Sequence, residues 1–210
     1  MIIAIDGPSG TGKGTVGRIV ADRLGIVYFD TGAMYRAFAL LCHQAALAPE
    51  LLLDRFAFRI ERREGTVHYF IGDQEVTEAI RAPEVTQASS ELSALPFVRE
   101  RMVEEQRRFG ASCDALFEGR DIGTVVFPAA DVKIYLTARP EVRAERRYQE
   151  LLGKGVETSL EEVAALIEER DHLDSTRAHS PLRRAEDAHL IDTSDLTVEQ
   201  VVEKVLEVAQ

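Results

Sequence analysis

Residues 7–13 read Gly-Pro-Ser-Gly-Thr-Gly-Lys. They stand between an apolar pentapeptide, Ile2-Ile3-Ala4-Ile5-Asp6, and a stretch with apolar residues at Val16, Ile19, Val20 and Leu24. The pentapeptide is short and uninterrupted, as a buried parallel strand requires, and the spacing after the loop predicts an amphipathic helix. Strand, glycine-rich loop and helix together turn successive backbone N–H groups toward one anion, and the helix adds the positive end of its dipole. A lysine at this spacing reaches the β- and γ-phosphates of a nucleotide. Gly7, Pro8, Ser9, Gly10, Thr11, Gly12, Lys13, Gly14 and Thr15 are therefore the expected nucleotide-binding segment. The usual hydroxyl residue after the lysine is replaced by Gly14, with Thr15 one place later, so no Mg²⁺ ligand is assigned.

A dinucleotide fingerprint, G-x-G-x-x-G over residues 12–17 with Asp30 downstream, overlaps this loop. Such a fingerprint should begin where the first strand ends. Here it starts well after Asp6 and puts Gly17 inside the helix, so the phosphate loop is the favoured reading.

Composition narrows the partners. A chain of 210 residues, 45% hydrophobic, suits one compact α/β domain with an insertion. A formal charge of −11 argues against a nucleic-acid polymer as partner. Yet 21 of the 25 basic residues are arginines, whose planar fork matches phosphate and carboxylate, although genomic composition or a hot habitat would also enrich them. The chain opens without a charged leader, has no apolar run of about 18 residues, and contains two cysteines, Cys42 and Cys113. The expectation is a cytoplasmic monomer in a reducing compartment, with no membrane partner.

Along the chain, Val27-Tyr28-Phe29 reads as a strand, and Asp30 or Thr31 caps a helix carrying Met34, Phe38 and Leu41. A short helix is expected over 51–56. Residues 58–61 and 66–71 flank Glu64-Gly65 as a β-hairpin, and Val76 adds a short third strand. Helical patterns cover 83–94 and 96–109; strands are expected at 115–118, 132–136 and 189–192. An arginine-crowded helix spans 140–152. Ser159-Leu160-Glu161-Glu162 and Thr197-Val198-Glu199-Gln200 are capping boxes opening two more helices. Strands alternating with helices predict a mostly parallel α/β sheet.

The segments 6–15 (DGPSGTGKGT), 30–36 (DTGAMYR), 118–127 (EGRDIGTVVF) and 169–178 (ERDHLDSTRA) closely resemble those of the bacterial cytidylate kinase family, and the likeness runs along nearly the whole chain. The resemblance implies a three-layer P-loop core at 1–30 and 113–210 with a small lid at about 139–180. It also implies an inserted monophosphate-binding region, helices plus an antiparallel hairpin, at 31–112. It implies transfer from ATP, with Mg²⁺, to CMP or dCMP. Thr31, Tyr35, Arg36, Arg120 and Arg177 match family positions around the acceptor, and Arg170 and Asp174 are given to the ribose hydroxyls. Asp121, with Arg99 and Ser90, is given to the base.

These residues suit the chemistry. Phosphoryl transfer between anions needs positive charge and alignment, and the acceptor phosphate needs no general base. Lys13, Arg120 and Arg177 are thus expected at the transferring group, joined from the lid by Arg143 and Arg147. A carboxylate at Asp121 accepts from the N4 amino group of cytosine and meets a lone pair in uracil. Competing readings stay open on sequence alone. Arg170, Asp174 and Arg177 form a ladder on one face if the helix continues that far. Asp121 could pair with Arg120 or lie near magnesium, and Arg139, Arg143, Arg146 and Arg147 could belong to a salt-bridged exposed helix. A kinase for UMP, AMP or a non-nucleotide acceptor, and a nucleotide-binding switch, are the rival functions.

Overall fold

The computed structural model describes residues 1–63 and 66–209, so the expected turn at Glu64-Gly65 lies outside the described residues. Five strands form one sheet: β1 (Ile2–Asp6), β2 (Val27–Asp30), β6 (Ala115–Gly119), β7 (Val132–Thr137) and β8 (His189–Asp192), in the order β2-β6-β1-β7-β8. The pairings β1–β6, β1–β7 and β7–β8 are parallel. Central β1 is buried from Ile3 onward, which is why its sequence is continuously apolar instead of alternating. The order sets β1 between two strands from later in the chain, and sheets of this kind take ligands at the carboxyl ends of their strands. Asp6, Gly119 and Tyr135 share that level.

Helix α1 (Lys13–Leu24) follows β1 and buries Val16, Gly17, Val20 and Ala21. It ends at Gly25, whose left-handed backbone lets its N–H reach the carbonyls of Ala21 and Asp22. The helices α5 (Pro140–Gly153), α6 (Leu160–Thr176) and α7 (Val198–Ala209) follow the later strands. Both capping boxes form: Ser159 with Glu162 opens α6, and Thr197 with Gln200 opens α7. Between β6 and β7 the chain makes a five-residue π-helical turn, Ile122–Val126.

The chain divides into two compact units, Met1–Phe29 with Phe109–Gln210, and Asp30–Arg108. The second contains α2 (Thr31–Ala45), the antiparallel strands β3 (Phe58–Arg63), β4 (Thr66–Ile71) and β5 (Gln74–Glu75), α3 (Pro83–Leu92) and most of α4 (Pro96–Gly110). Asp30 is the cap of α2, accepting from the Ala33 N–H at 2.9 Å. The core of this unit includes Met34, Phe38, Phe56, Tyr69 and Phe70. Residues 51–56 do not form the single helix expected; two 3₁₀ turns, Pro49–Leu51 and Leu53–Arg55, stand there, each closed by three-residue hydrogen bonds. No single described helix is long and apolar enough to cross a membrane.

Candidate active site

The phosphate loop is shaped by close approach. Gly7 has φ +147°, and a Cβ there would lie 2.1 Å from the Leu136 carbonyl oxygen on β7. Gly10 has φ +77°, and its Cβ would lie 2.8 Å from the Arg143 carbonyl oxygen on α5. Only glycine allows the loop to lie this tightly against β7 and α5. Inside the loop Lys13 is buried, its Nζ donating to the Pro8 carbonyl at 2.6 Å; Thr11 is buried with it. Burial, assisted by nearby Arg120, holds the Lys13 ammonium down to about 7. Thr15 is exposed, and Gly14 leaves room beside the Glu118 carboxylate and the Tyr28 hydroxyl, each 3.4 Å from where a Cβ would stand.

Around Ser9 the arginines gather. Arg120 donates from Nη2 to the Ser9 hydroxyl at 3.1 Å and from Nε to Asp174 at 2.9 Å. Burial works against the Arg120 charge, but Asp174, Asp171 and Glu118 outweigh it and raise its pKa. Burial likewise opposes ionisation of Asp174, and Arg120, Arg170 and Arg177 reverse that, holding it below the usual carboxylate range. Arg143 is buried, donating to the Ser9 carbonyl at 3.0 Å and to Ala138 at 3.2 Å, and it pairs with Asp171. Asp171 in turn accepts from the Ser9 N–H at 3.0 Å.

The ladder on α6 is not a continuous helical face. The helix stops at Thr176, and Arg177 is its C-cap in extended conformation. Its Nε donates to the Ser180 carbonyl at 2.6 Å, and Ser180 itself takes φ +53°. Arg177 still lies 3.4 Å from Asp174 and 3.7 Å from Asp121. Arg170 is on α6, one turn before Asp174. Asp121 is buried at the start of the π turn, which Asp6 holds by accepting from the Ile122 and Gly123 N–H groups at 2.8 and 2.7 Å. Burial pushes Asp6 up to about 6.

The arginines of α5 separate. Arg143 alone meets the loop's Ser9; Arg146 donates to Thr193, whose hydroxyl donates to the Thr11 carbonyl. Arg147 is two-fifths exposed and pairs with Glu150 at 2.7 Å, and Arg139 pairs with exposed Asp195. Within the unit Asp30–Arg108, Arg36 donates to Asp30 at 3.0 Å and Thr31 is buried. Arg99 is buried, donates to the Ser93 carbonyl at 3.2 Å and lies 5.7 Å from the centre of the Tyr35 ring. Ser90 donates to the Thr86 carbonyl on α3.

Sequence reasoning passed over Asp6, Glu118, Asp171 and Thr193. Three of them lie inside the segments that carry the resemblance, and Asp171 sits three residues before Asp174, on its side of a helix. That spacing was the available signal.

A family model described as cytidylate kinase matches residues 3–210. Curated relatives include a cytidylate kinase of Protochlamydia amoebophila, 48% identical over 99% of this chain and 95% of the relative. Another, of Carboxydothermus hydrogenoformans, is 48% identical over 99% of this chain and 96% of the relative. Among solved structures, an uncharacterized protein from Eubacterium ventriosum superposes with a TM-score of 0.55 at 11% identity, covering 99% of this chain and 96% of that one. That last likeness concerns the fold alone.

Proposed function

The chain belongs to the cytidylate kinase family, and on that premise we propose that it moves the γ-phosphoryl group of Mg·ATP in line to CMP or dCMP, without a covalent enzyme intermediate. Membership makes it an ATP-dependent kinase, a transferase acting on a small nucleotide substrate. The observation that carries the residue assignments is the set of carboxylate-braced arginines around Ser9 of the phosphate loop.

In this reading the loop 7–15 holds the phosphates of ATP, with Lys13 as its cation. Arg120, Arg143 and Arg177 supply positive charge where the transferring group becomes more anionic, the part of phosphoryl transfer that a protein can most strengthen. Their bonds to carboxylates and carbonyls hold them in place beforehand, so little reorganisation accompanies the reaction. Within the unit Asp30–Arg108, Thr31 and Arg36 are read as ligands of the acceptor phosphate, and Tyr35, Ser90 and Arg99 as the base-side residues. That unit is the monophosphate-binding region, and residues at about 139–180 are the lid. Arg170 and Asp174 are assigned to ribose. Arg147, paired with Glu150 on the exposed side of α5, is kept as an ATP-side lid contact on the resemblance alone.

The residues present fit magnesium held chiefly by nucleotide phosphates and water, with the Glu118 carboxylate beside the loop. Among the described residues no cluster of three ligating side chains occurs, but Glu118 stands beside Gly14 at the start of α1. Held there, the ion would supply positive charge to the nucleotide phosphates. The same reading has the chain act as a cytoplasmic monomer; Cys42 and Cys113 are free thiols, which suits a reducing compartment.

The test is a coupled ADP-release assay with CMP, dCMP, UMP, AMP and GMP as separate acceptors, with and without Mg²⁺. Fast Mg²⁺-dependent turnover confined to CMP and dCMP is expected. Asp121→Asn should lower the CMP-over-UMP ratio of kcat/KM by at least about tenfold, since the amide no longer offers two acceptors to the N4 amino group. An unchanged ratio would remove Asp121 from base recognition, and turnover on another monophosphate would replace CMP as the substrate.

A further inference from the structure

Asp171 stands out among the charged groups not yet given a task. It lies on α6, yet both its carboxylate oxygens are engaged elsewhere. One accepts from the backbone N–H of Ser9 in the phosphate loop, 162 residues away in sequence, and the other from Nη1 of Arg143 on α5. Arg143 closes the figure by donating from the same Nη1 to the Ser9 carbonyl. The N–H and the C=O of Ser9 are thereby gripped by an acid and a base that also grip one another. The loop lies so close to α5 here that Gly10 could carry no side chain.

We propose that Asp171 is a positioning residue for phosphoryl transfer, holding Arg143 and the Ser9 segment of the phosphate loop in one fixed geometry. The proposal rests on the reading of Arg143 as a cation for the transferring group and deepens it. A guanidinium has five N–H donors in one plane. Three are committed: Nε to Ala138 and both of Nη1 to Ser9 and Asp171. Those bonds fix the plane and leave Nη2, the remaining arm of the fork, to present its two donors in a set direction. Of the three bonds only the one to Asp171 joins two opposite charges, so it is the strongest restraint on that direction. Ala138 and Ser9 offer carbonyls, which would allow the fork to swing if the carboxylate were lost. Because Asp171 also holds the Ser9 N–H, its loss should loosen the loop and the arginine together. Small misplacements of this kind are expensive in a reaction that depends on alignment.

A purely structural ion pair would predict something else: lower stability, with each folded molecule turning over as before. The experiment compares Asp171→Asn, Asp171→Glu, Arg143→Ala and the double variant Asp171→Asn with Arg143→Ala, in the full-length chain. Each is assayed by steady-state kinetics with ATP and CMP and by thermal unfolding. Asp171→Asn keeps the shape and one oxygen for Ser9 but removes the charge that Arg143 meets. It is expected to lower kcat on the order of 30-fold while leaving KM for CMP within about twofold. Asp171→Glu should recover part of that loss, since it restores the charge with a longer reach. The double variant should be no slower than Arg143→Ala, because a residue acting through Arg143 has nothing left to position. If Arg143→Ala is slow but Asp171→Asn turns over as the parent does, the inference falls and the reading of Arg143 stands. If the two losses multiply in the double variant, Asp171 acts independently of Arg143 and the inference also falls. If Arg143→Ala itself keeps full turnover, the underlying reading of Arg143 is what fails.

Discussion

The two arginines that donate to Ser9 and the arginines of the unit Asp30–Arg108 find their hydrogen-bond partners at different distances in the chain. In the unit built on the parallel sheet, Arg120 meets Asp174 across 54 residues and Arg143 meets Asp171 across 28. In the unit Asp30–Arg108, Arg36 donates to Asp30 and Arg99 to Ser93, each only 6 residues away. Further arginines of that unit pair with glutamates close by on the same strand or helix: Arg63 with Glu61, Arg101 with Glu105 and Arg108 with Glu105. The first set of braces exists only when β6, α5 and α6 are all in place, so the cations around Ser9 are coupled to folding. The hydrogen bonds of the second set close within short stretches of chain, although Arg99 also lies over the Tyr35 ring of another helix. Phosphate handling and acceptor holding should therefore respond differently to the same kind of mutation.

Arg120→Ala breaks the comparison open most forcefully. It removes a long-range brace and leaves Asp174, whose side chain is 15% exposed, with less compensation for its burial. Losing one partner of a buried pair is costly, and here the remaining arginines, Arg170 and Arg177, soften the loss. We expect a drop of about 2–3 kcal/mol in unfolding free energy and a fall in kcat of about a thousandfold. Arg36→Ala, the counterpart in the other unit, should raise KM for CMP while moving stability by less than about 1 kcal/mol. Chemical denaturation of the two variants, alongside their kinetics, checks both statements. Equal destabilisation would mean that the distinction between distant and local braces has no energetic content.

A second difference concerns titration. Lys13 is held down to about 7, from 10.5, by burial and by nearby Arg120, so the free enzyme loses this charge within the working range. ATP favours the ammonium, and binding must then take up a proton. Affinity for ATP should fall as pH rises, by about twentyfold between pH 7.5 and 9, above the last phosphate ionisation of ATP. The same shift means that the ligand-free chain gains stability as pH rises from about 7 toward 10.5, since the unfolded chain binds the extra proton. The cations assigned to CMP are arginines and do not titrate in this window, so KM for CMP should stay flat. Calorimetry in buffers of different ionisation enthalpy reads the proton uptake directly. Lys13→Arg should weaken binding and flatten the ATP profile; a profile that stays steep would place the titrating group elsewhere.

This contrast also decides what could be read from the sequence. The strand, loop and helix at the start, both capping boxes and the antiparallel hairpin strands depend on neighbours within a few residues, and they stand where the pattern puts them. The α6 ladder read one residue too far, because Arg177 leaves the helix to reach Ser180. The π turn at Ile122–Val126 had no local signal; it is held by Asp6 from 116 residues away. Asp171 was hidden for the same reason. Its neighbours in sequence make it look like one more acid on a charged helix, and its partners are Ser9 and Arg143. Arginines that matter to the loop could be nominated from motifs, but their braces belong to the tertiary structure.

Asp30 gives the smallest and most discriminating test, because a single side chain does two local jobs. One oxygen caps α2 through the Ala33 N–H at 2.9 Å, and the other accepts from Arg36 at 3.0 Å. Asp30→Asn can keep the cap but loses the charge that restrains Arg36. Asp30→Ala loses both, and loss of a helix cap is worth about 1 kcal/mol. The expected order is a stability change within about 0.5 kcal/mol for Asn and about 1 kcal/mol for Ala. Both variants should raise KM for CMP about threefold, while kcat and KM for ATP stay at parental values, since ordering one partly buried arginine by a single ion pair is a modest term. If Asn costs as much as Ala, the carboxylate charge is what stabilises the helix start. If neither moves KM for CMP, Arg36 holds its place without help, and a local brace is then a feature of folding only, whereas a distant one around Ser9 serves folding and turnover together.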